Sequence, residues 1–359
     1  MAVHFHPLKI KSISRETPEC VSIEFEIPSG IASIFTFKEG QNITIRKKIG
    51  DNEIRRSYSI CTAPHEERLR VAIKKVDGGL FSQFANDELQ PGMTLEVLPP
   101  TGNFYARLNE EAQADYLAIA AGSGITPVIS IIKHTLFTQP GSRFTLVFGN
   151  RSRSSIIFFD ELEALKNRYM QRFNLVNILS REKTDADLNY GRIDKQKLSS
   201  LSRVLSFKNF KSIYLCGPEE MIFASSAYFG QLGINKQSIH FELFTIPGQA
   251  SSQKVAVKEE EKESGPESKI SIKLDGRTFD FGLSYKGQSI LDRALQTGAD
   301  LPYACKGGVC CSCRAKLIEG KVEMDVNYAL EPDEVKAGYI LACQSHPRSE
   351  KIVIDFDIK

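Results

Sequence analysis

The chain has 359 residues, a formal net charge of +2 and 42% hydrophobic residues, so it is too long for one core and should form two or three domains of roughly 100–150 residues each. The balanced charge, with no basic stripe among aromatic residues, argues against nucleic acid as a partner. No apolar run reaches membrane-spanning length and the N-terminus has no apolar signal core, so we expect a cytoplasmic protein with no membrane partner.

The first region, from Phe5 to about Leu108, consists of short β-like runs separated by Pro and Gly turns, for example "VSIEFEI", "NITIRKK", "LRVAIKKV" and "MTLEVLPP". This pattern predicts a small antiparallel barrel or sandwich. It contains "RRSYSI" at 55–60 and, further along, "GGLFSQF" at 78–84. Both motifs suit phosphate binding. The planar guanidinium of arginine matches the geometry of a phosphate, and small residues let backbone amides approach the phosphate closely. An ordinary strand end with an exposed arginine is the alternative interpretation.

In the second region, from Asp115 to Phe244, strand-like and helix-like segments alternate, which indicates parallel βαβ units. The strand "YLAIAAG" runs into Gly122-x-Gly124-x-x-Pro127 and then a helix pattern. The glycines permit a tight bend, Thr126 can cap the helix and Pro127 suits its first turn, which leaves a positive helix end for a pyrophosphate. Core packing is the commoner explanation of an isolated glycine pattern, but here the strand and helix flank it as required.

A polar segment, "PGQASSQKVAVKEEEKESGPES", separates this region from the last one and has the composition of a linker. The last region opens with "ISIKLDGRTFDFGL", a hairpin candidate turning at Asp275-Gly276. The predicted division is therefore 1–110, 111–246, a linker at 247–268, and 269–359.

Five of the eight cysteines lie in the last sixth of the chain, which is a poor layout for a disulfide framework and suggests a metal centre. The spacing is C-x4-C-x2-C with a fourth cysteine further along the chain, formed by Cys305, Cys310, Cys313 and Cys343. This is the plant-type [2Fe–2S] pattern. Structural zinc is the alternative, although it more often uses two separated close pairs. The ligand count leaves Cys311 as a non-ligand packed beside the cluster.

The cysteines are embedded in "SILDRALQTGADLPYACKGGVCCSCRAKLIEGKVEM" and "LACQSHPRS", which resemble plant-type ferredoxin modules over about ninety residues. That resemblance implies a C-terminal β-grasp domain. Since an iron–sulfur cluster accepts single electrons and not a hydride, a flavin is needed to connect it to a nicotinamide.

The motifs of the first two regions, in their order, resemble the ferredoxin–NADP reductase superfamily, which implies a flavin-binding barrel followed by a nucleotide-binding domain. By that resemblance Arg56 pairs with flavin phosphates, Tyr58 lies along the flavin and Ser59 approaches its N5 atom. The same resemblance assigns pyrophosphate contacts of the flavin to Gly79, Leu80, Phe81 and Ser82. FAD is expected, although the residues alone do not distinguish it from FMN.

For the nucleotide, the resemblance implies pyrophosphate contacts at the Gly122 to Pro127 turn and a nicotinamide site at Cys216, Gly217 and Pro218. Glu242 and Phe244 resemble the end of the bacterial members, where a ring covers the flavin and an acid supports it. Arg151 and Arg153 follow a strand where the superfamily contacts the adenosine ribose, and no acidic residue follows with them. NADPH is therefore predicted over NADH, with simple solvation of the arginines as the alternative.

The order of flavin domain, nucleotide domain, linker and ferredoxin resembles the reductase components of bacterial multicomponent oxygenases, and most of all the reductase subunits of phenylacetyl-CoA epoxidases. The resemblance implies electron transfer from NAD(P)H through FAD and [2Fe–2S] to a separate oxygenase. Two alternatives stay open at this stage. One is another acceptor, such as a ring-hydroxylating oxygenase, a desaturase or a hybrid-cluster protein, and the other is a non-enzymatic iron–sulfur redox sensor.

Overall fold

A computed structural model describes residues 4–105, 113–244 and 266–358. The first range forms one antiparallel sheet with the strands β1 (His6–Thr17), β2 (Cys20–Glu26), β3 (Asn42–Ile49), β4 (Asn52–Ser59), β5 (Leu69–Lys74) and β6 (Thr94–Val97). The spatial order is β4-β3-β6-β1-β2-β5. An antiparallel bridge between Ile60 and Val71 links the two outer strands. The sheet therefore closes into a barrel, which decides between the barrel and the sandwich that the sequence allowed.

Alternating residues of these strands fill the barrel. Leu8, Ile23, Ile43 and Val71 are examples of its fully buried side chains. A short helix, α1 (Leu80–Asp87), adds Phe81 to this core. The small residues of "GGLFSQF" predicted a phosphate contact but not this helix.

The second range forms a parallel sheet of β7 (Asp115–Ala121), β8 (Arg143–Asn150), β9 (Phe173–Leu179), β10 (Phe210–Cys216) and β11 (Ile239–Glu242). Its helices are α2 (Ile125–Thr138), α3 (Phe159–Arg168), α4 (Lys195–Leu201) and α5 (Glu219–Gln231). The order β11-β10-β7-β8-β9 places β7 in the centre. Successive β7 residues belong to different buried clusters, Ala118 with α2 and Leu117 with α5. Helices thus cover both faces, and the sheet is doubly wound.

The third range forms a mixed sheet of β12 (Glu267–Leu274), β13 (Arg277–Ser284), β14 (Arg314–Glu319), β16 (Tyr339–Leu341) and β18 (Lys351–Asp355). A second ribbon pairs β15 (Val322–Met324) with β17 (Ser345–Pro347), and two helices complete the module, α6 (Ile290–Gln296) and α7 (Pro332–Lys336). The predicted hairpin is confirmed: β12 pairs with β13 across Asp275 and Gly276, both at positive φ. Such a two-residue turn matches the twist of the strands.

The predicted fold class, an antiparallel barrel, a doubly wound parallel sheet and a ferredoxin module with a mixed sheet, is confirmed. Most of the predicted linker and the predicted 110/111 boundary lie outside the described residues, and two residues assigned to the linker, Glu267 and Ser268, belong to β12. Among the described residues, no helix is both long and apolar enough to cross a bilayer.

Candidate functional site

The four predicted cluster ligands lie together as two pairs of thiols. The Sγ atoms of Cys305 and Cys310 are 3.2 Å apart. In the second pair the Cys313 thiol donates to Cys343, and this hydrogen bond is the main cause of the lowered pKa of Cys343. The Cys310 pKa is likewise lowered to about 6, chiefly because of its hydrogen bond with the Cys305 thiol. All four are free cysteines, and three are buried.

The pairing distinguishes the two kinds of metal centre. In the described ranges no group of three or more His, Cys, Asp or Glu side chains is placed to hold a metal ion. A single zinc ion needs four ligands converging on one point, whereas two irons bridged by sulfides are each held by two thiolates. Two adjacent thiol pairs therefore fit a [2Fe–2S] cluster better than zinc.

Backbone and amide donors surround these thiols. The Gly307 amide donates to Cys305 Sγ at 3.3 Å, and Gln344 Nε2 lies 3.6 Å from Cys343 Sγ. Gly308 has a φ of +72°, and a Cβ there would lie 3.0 Å from a methyl group of Val326. The loop thus needs glycine at 308, while its donors suit negatively charged sulfur.

Cys311 lies apart from both pairs. Its Sγ donates to the carbonyl of Ala329 at 3.4 Å and is 3.8 Å from Asn103 Nδ2. Burial raises the pKa of this thiol. These contacts favour the predicted role of a packed, protonated neighbour of the cluster.

The residues predicted to hold the flavin lie on β4 and α1. Arg56 is exposed near the end of β4, Tyr58 is half-buried with its ring centroid 5.7 Å from that of Phe81, and Ser59 is buried. Gly79 is the N-cap residue of α1, and no side chain caps the first turn, formed by Leu80, Phe81 and Ser82. The Ser82 hydroxyl already donates to the Gly79 carbonyl at 3.0 Å. An uncapped helix start and an exposed arginine are each suited to a flavin phosphate.

A hydrogen bond joins the barrel to the end of the nucleotide module. Ser59 Oγ donates to Glu242 Oε2 at 3.0 Å. Burial raises the pKa of Glu242 to about 8. Glu242 and Asn42 both line a cavity of about 50 Å³. The buried Oδ1 atom of Asn42 has no hydrogen-bond partner among the described residues. The cavity is lined by all three modules, including Phe104, Glu242 and Cys310.

The unpartnered buried oxygen of Asn42 can accept a hydrogen bond from a flavin ring beside the Ser59–Glu242 pair, so these polar groups fit FAD. Asn42 is not predictable from the sequence, because one polar residue in a strand carries no recognisable signal. Phe244, at the end of the described range, is 41% exposed, which leaves its ring available to a ligand.

The two predicted nucleotide turns touch each other at the carboxyl ends of β7 and β10. A Cβ at Gly124 would lie 2.1 Å from the carbonyl oxygen of Cys216 and 2.8 Å from the Gly217 nitrogen. Gly217 has a φ of +156°, and Pro218 precedes α5 as its N-cap. Because β7 is where the strand order reverses, this contact lies at the edge where open α/β sheets bind ligands.

One local prediction here is wrong. The N-cap of α2 is Gly124 without a side-chain cap, and Thr126 lies inside the helix with its Oγ1 donating to the Ser123 carbonyl at 3.0 Å. The short 3₁₀ turn Gly122–Gly124 leads directly into α2, which begins at Ile125. Thr126 is therefore already inside the helix and cannot cap it. Pro127 does lie in the first turn as expected.

Cys216 ends β10, opposite Glu242 in the register of β10 and β11. It is fully buried, and burial raises the pKa of its thiol well above the usual value. The thiol therefore stays protonated at the sheet edge, and its nicotinamide contact stays a prediction.

Arg151 and Arg153 follow β8 and are exposed. The guanidinium of Arg153 lies over the Phe159 ring at 4.8 Å, and its backbone amide donates to Glu182 Oε2 at 2.8 Å. No acidic residue stands beside these arginines along the chain, but the turn after β9 brings Glu182 to Arg153 in space. Glu182 is thus a candidate nucleotide residue that the sequence analysis missed.

Three family models match the three modules. "Oxidoreductase FAD-binding domain" matches residues 7–105, "Oxidoreductase NAD-binding domain" residues 118–226, and "2Fe-2S iron-sulfur cluster binding domain" residues 272–348.

Curated relatives and solved structures match the whole chain. A subunit of the 1,2-phenylacetyl-CoA epoxidase of Escherichia coli (strain K12) is 42% identical over 99% of this chain and 98% of its own length. The 3-ketosteroid-9-alpha-monooxygenase ferredoxin reductase component of Rhodococcus rhodochrous is 31% identical over 97% and 96%. The structure of phthalate dioxygenase reductase is similar with a TM-score of 0.58 and 23% identity, covering 98% of both chains. At this identity the structural likeness is one of fold.

Proposed function

Since the chain belongs to the FAD- and [2Fe–2S]-containing reductase components of multicomponent oxygenases, we propose that its electron acceptor is the oxygenase component of a phenylacetyl-CoA epoxidase. The chain is an NAD(P)H oxidoreductase, so the sensor alternative is set aside. The assignment of the acceptor rests on the sequence identity of 42% to an epoxidase component over nearly the whole chain, compared with 31% to a steroid monooxygenase reductase.

Bound FAD would supply a hydride acceptor for reduced nicotinamide, and a bound [2Fe–2S] cluster would supply single-electron transfer. The chain contributes binding and orientation. Ser59 donates to Glu242, which fixes the hydroxyl beside the cavity. Gly124 lets the pyrophosphate turn lie directly against Cys216. No acid or base of the protein is required for hydride transfer, which depends on orientation.

The finer assignments belong to this proposal. The residues Arg56 to Ser59 and Gly79 to Ser82 hold FAD, the turns at Gly122 and Cys216 hold the nucleotide, and the two thiol pairs hold the cluster. The proposed modules are 1–110, 111–246 and 269–359, and each matched family segment falls within one of them, which supports the division. NADPH is the proposed donor, on the strength of Arg151 and Arg153. The acyl-CoA substrate class of the proposed acceptor supports a cytoplasmic location.

Reconstitution tests the acceptor. The purified protein, NADPH and a separately purified phenylacetyl-CoA epoxidase oxygenase should form the epoxide, detected by mass spectrometry. The oxygenase of a 3-ketosteroid-9-alpha-monooxygenase system, supplied at the same concentration, should turn over at least tenfold more slowly. A Cys343→Ser variant should support neither reaction. Equal or faster turnover with the steroid oxygenase would reject the epoxidase assignment.

A further inference from the structure

Asp300, five residues before the first cluster cysteine, reaches across to the barrel. Its Oδ1 accepts a hydrogen bond of 2.8 Å from Arg55 on β4, and its Oδ2 lies 3.3 Å from Arg46 on β3. Arg55 also donates to the Leu301 carbonyl at 3.1 Å and lies 4.2 Å from the centre of the Tyr303 ring. We call Asp300, Arg46 and Arg55 the Asp300 clamp.

Further polar contacts hold the cluster loop itself. Thr44 Oγ1 and Ser312 Oγ are 2.8 Å apart, and Ser312 stands between Cys311 and Cys313. Asn103, which follows β6, donates to the Ala329 carbonyl at 3.3 Å. The barrel therefore contacts the ferredoxin module both before the cysteine loop and within it.

This docked position brings the cluster ligands to the flavin side of the barrel. Glu242, the hydrogen-bond partner of Ser59, and Cys310 line the same cavity of about 50 Å³. One member of a thiol pair thus shares a small cavity with the carboxylate that holds Ser59 of the proposed flavin site. A single-electron transfer between the flavin and the cluster requires a short distance between these two centres.

The clamp can open without leaving a buried charge unpaired. Arg55 is only 6% exposed, and a buried guanidinium is costly without an anionic partner. Each clamp arginine has a second carboxylate within the barrel: Glu53 lies 2.8 Å from Arg55, and Glu96 lies 2.9 Å from Arg46. On release the arginines keep these partners, and Asp300, whose side chain is 65% exposed, returns to water. The contact is therefore reversible and sensitive to salt.

We propose that Asp300 is a positioning residue for internal electron transfer, holding the ferredoxin module in the docked position through Arg46 and Arg55. The step that it positions moves one electron from the reduced flavin to the oxidised cluster. One centre is oxidised by one electron as the other is reduced by one, and no bond or proton crosses the contact. The proposal rests on the cofactor sites described above and not on the identity of the acceptor.

The test compares full-length holoprotein with Asp300→Asn and Asp300→Lys, and with Glu323→Gln as the matched control. Glu323 has a similar exposure of 66% but pairs with Arg348 inside the ferredoxin module. The first measurement is the rate at which phenylglyoxal modifies Arg55, followed by mass spectrometry, with the 66% exposed Arg143 as the internal standard. The second is anaerobic stopped-flow absorbance after mixing with NADPH, which resolves flavin reduction from cluster reduction.

We expect Arg55 modification to be about tenfold faster in Asp300→Asn than in wild type, because one charge-assisted hydrogen bond is lost. Modification should be faster still in Asp300→Lys, because Arg46 and Arg55 repel the new cation. Cluster reduction should slow in the same order, while flavin reduction and iron content stay within twofold of wild type. Raising salt should speed Arg55 modification in wild type more than in either variant. Glu323→Gln should match wild type.

Two results would overturn the proposal. Unchanged Arg55 modification in Asp300→Lys would mean that the clamp does not hold the module. Faster modification with an unchanged rate of cluster reduction would mean that the docked position does not serve electron transfer. Neither measurement uses an oxygenase, so a wrong acceptor would not affect the outcome.

Discussion

Adding a single methyl group at Gly124 should separate the two nucleotide turns. In Gly124→Ala the new Cβ would lie 2.1 Å from the Cys216 carbonyl oxygen and 2.4 Å from its carbon, both backbone atoms at the end of the interior strand β10. Ordinary contact begins near 3.4 Å, so the turns must move apart by more than an ångström. The φ of Gly124 is −60°, which alanine adopts freely, so the entire effect is steric.

Inserting a methyl group into such a packed contact costs about 3 kcal/mol, the upper end of the usual range for overpacking. Gly230→Ala is the matched control. Gly230 lies in α5 with nothing within 4 Å of an added Cβ, so alanine should stabilise the helix by about 0.5–1 kcal/mol. The same substitution should therefore have opposite signs at the two sites.

Urea unfolding followed by far-UV circular dichroism measures both changes, and isothermal titration with NADP⁺ measures the nucleotide site. Gly124→Ala should lower the transition midpoint and weaken nucleotide binding at least tenfold, while Gly230→Ala raises the midpoint and leaves binding unchanged. A Gly124→Ala variant with the stability and the nucleotide affinity of wild type would refute the steric argument.

Three other changes test separate parts of the molecule. Serine at any of the four candidate ligands should abolish the [2Fe–2S] absorbance and the bound iron and sulfide, whereas Cys311→Ser should retain them; the reverse pattern for Cys343 and Cys311 would contradict the ligand assignment. Lys133→Met should cost about 2 kcal/mol in urea unfolding, because the 6% exposed ammonium bonds both Glu66 and Glu161, and its loss leaves Glu66 without this cation and Glu161 with Arg70 alone; the exposed Lys211→Met is the control, and equal stability of the two variants would count against a contribution of this network. Glu182→Gln should raise the kcat/KM ratio of NADPH over NADH about threefold, since an exposed carboxylate beside Arg153 opposes a 2′-phosphate; an unchanged ratio would place Glu182 outside the nucleotide site.

Features encoded by neighbouring residues were predictable from the sequence, and features made by distant ones were not. The hairpin at Asp275-Gly276 depends on two adjacent residues that accept positive φ, and the cysteine loop on spacings of a few residues. Glu182 reaches Arg153 from 29 residues away, and Asp300 reaches Arg55 from 245. Because these contacts are created by sheet order and module docking, no local pattern records them. Helix α1 was missed for another reason: eight residues after two glycines give too few turns for a helical period to be visible.

The hydrogen bond between Ser59 and Glu242 joins residues 183 positions apart in the chain. A ribosome adding roughly 5–20 residues per second makes Glu242 about 10–40 s after Ser59. For most of that interval all six barrel strands have been made, but the cavity wall formed by β11 has not. The pair is thus completed only after the intervening parallel sheet has been made and before the ferredoxin module that also lines the cavity, and a barrel released early from translation would lack the carboxyl group that orients its serine.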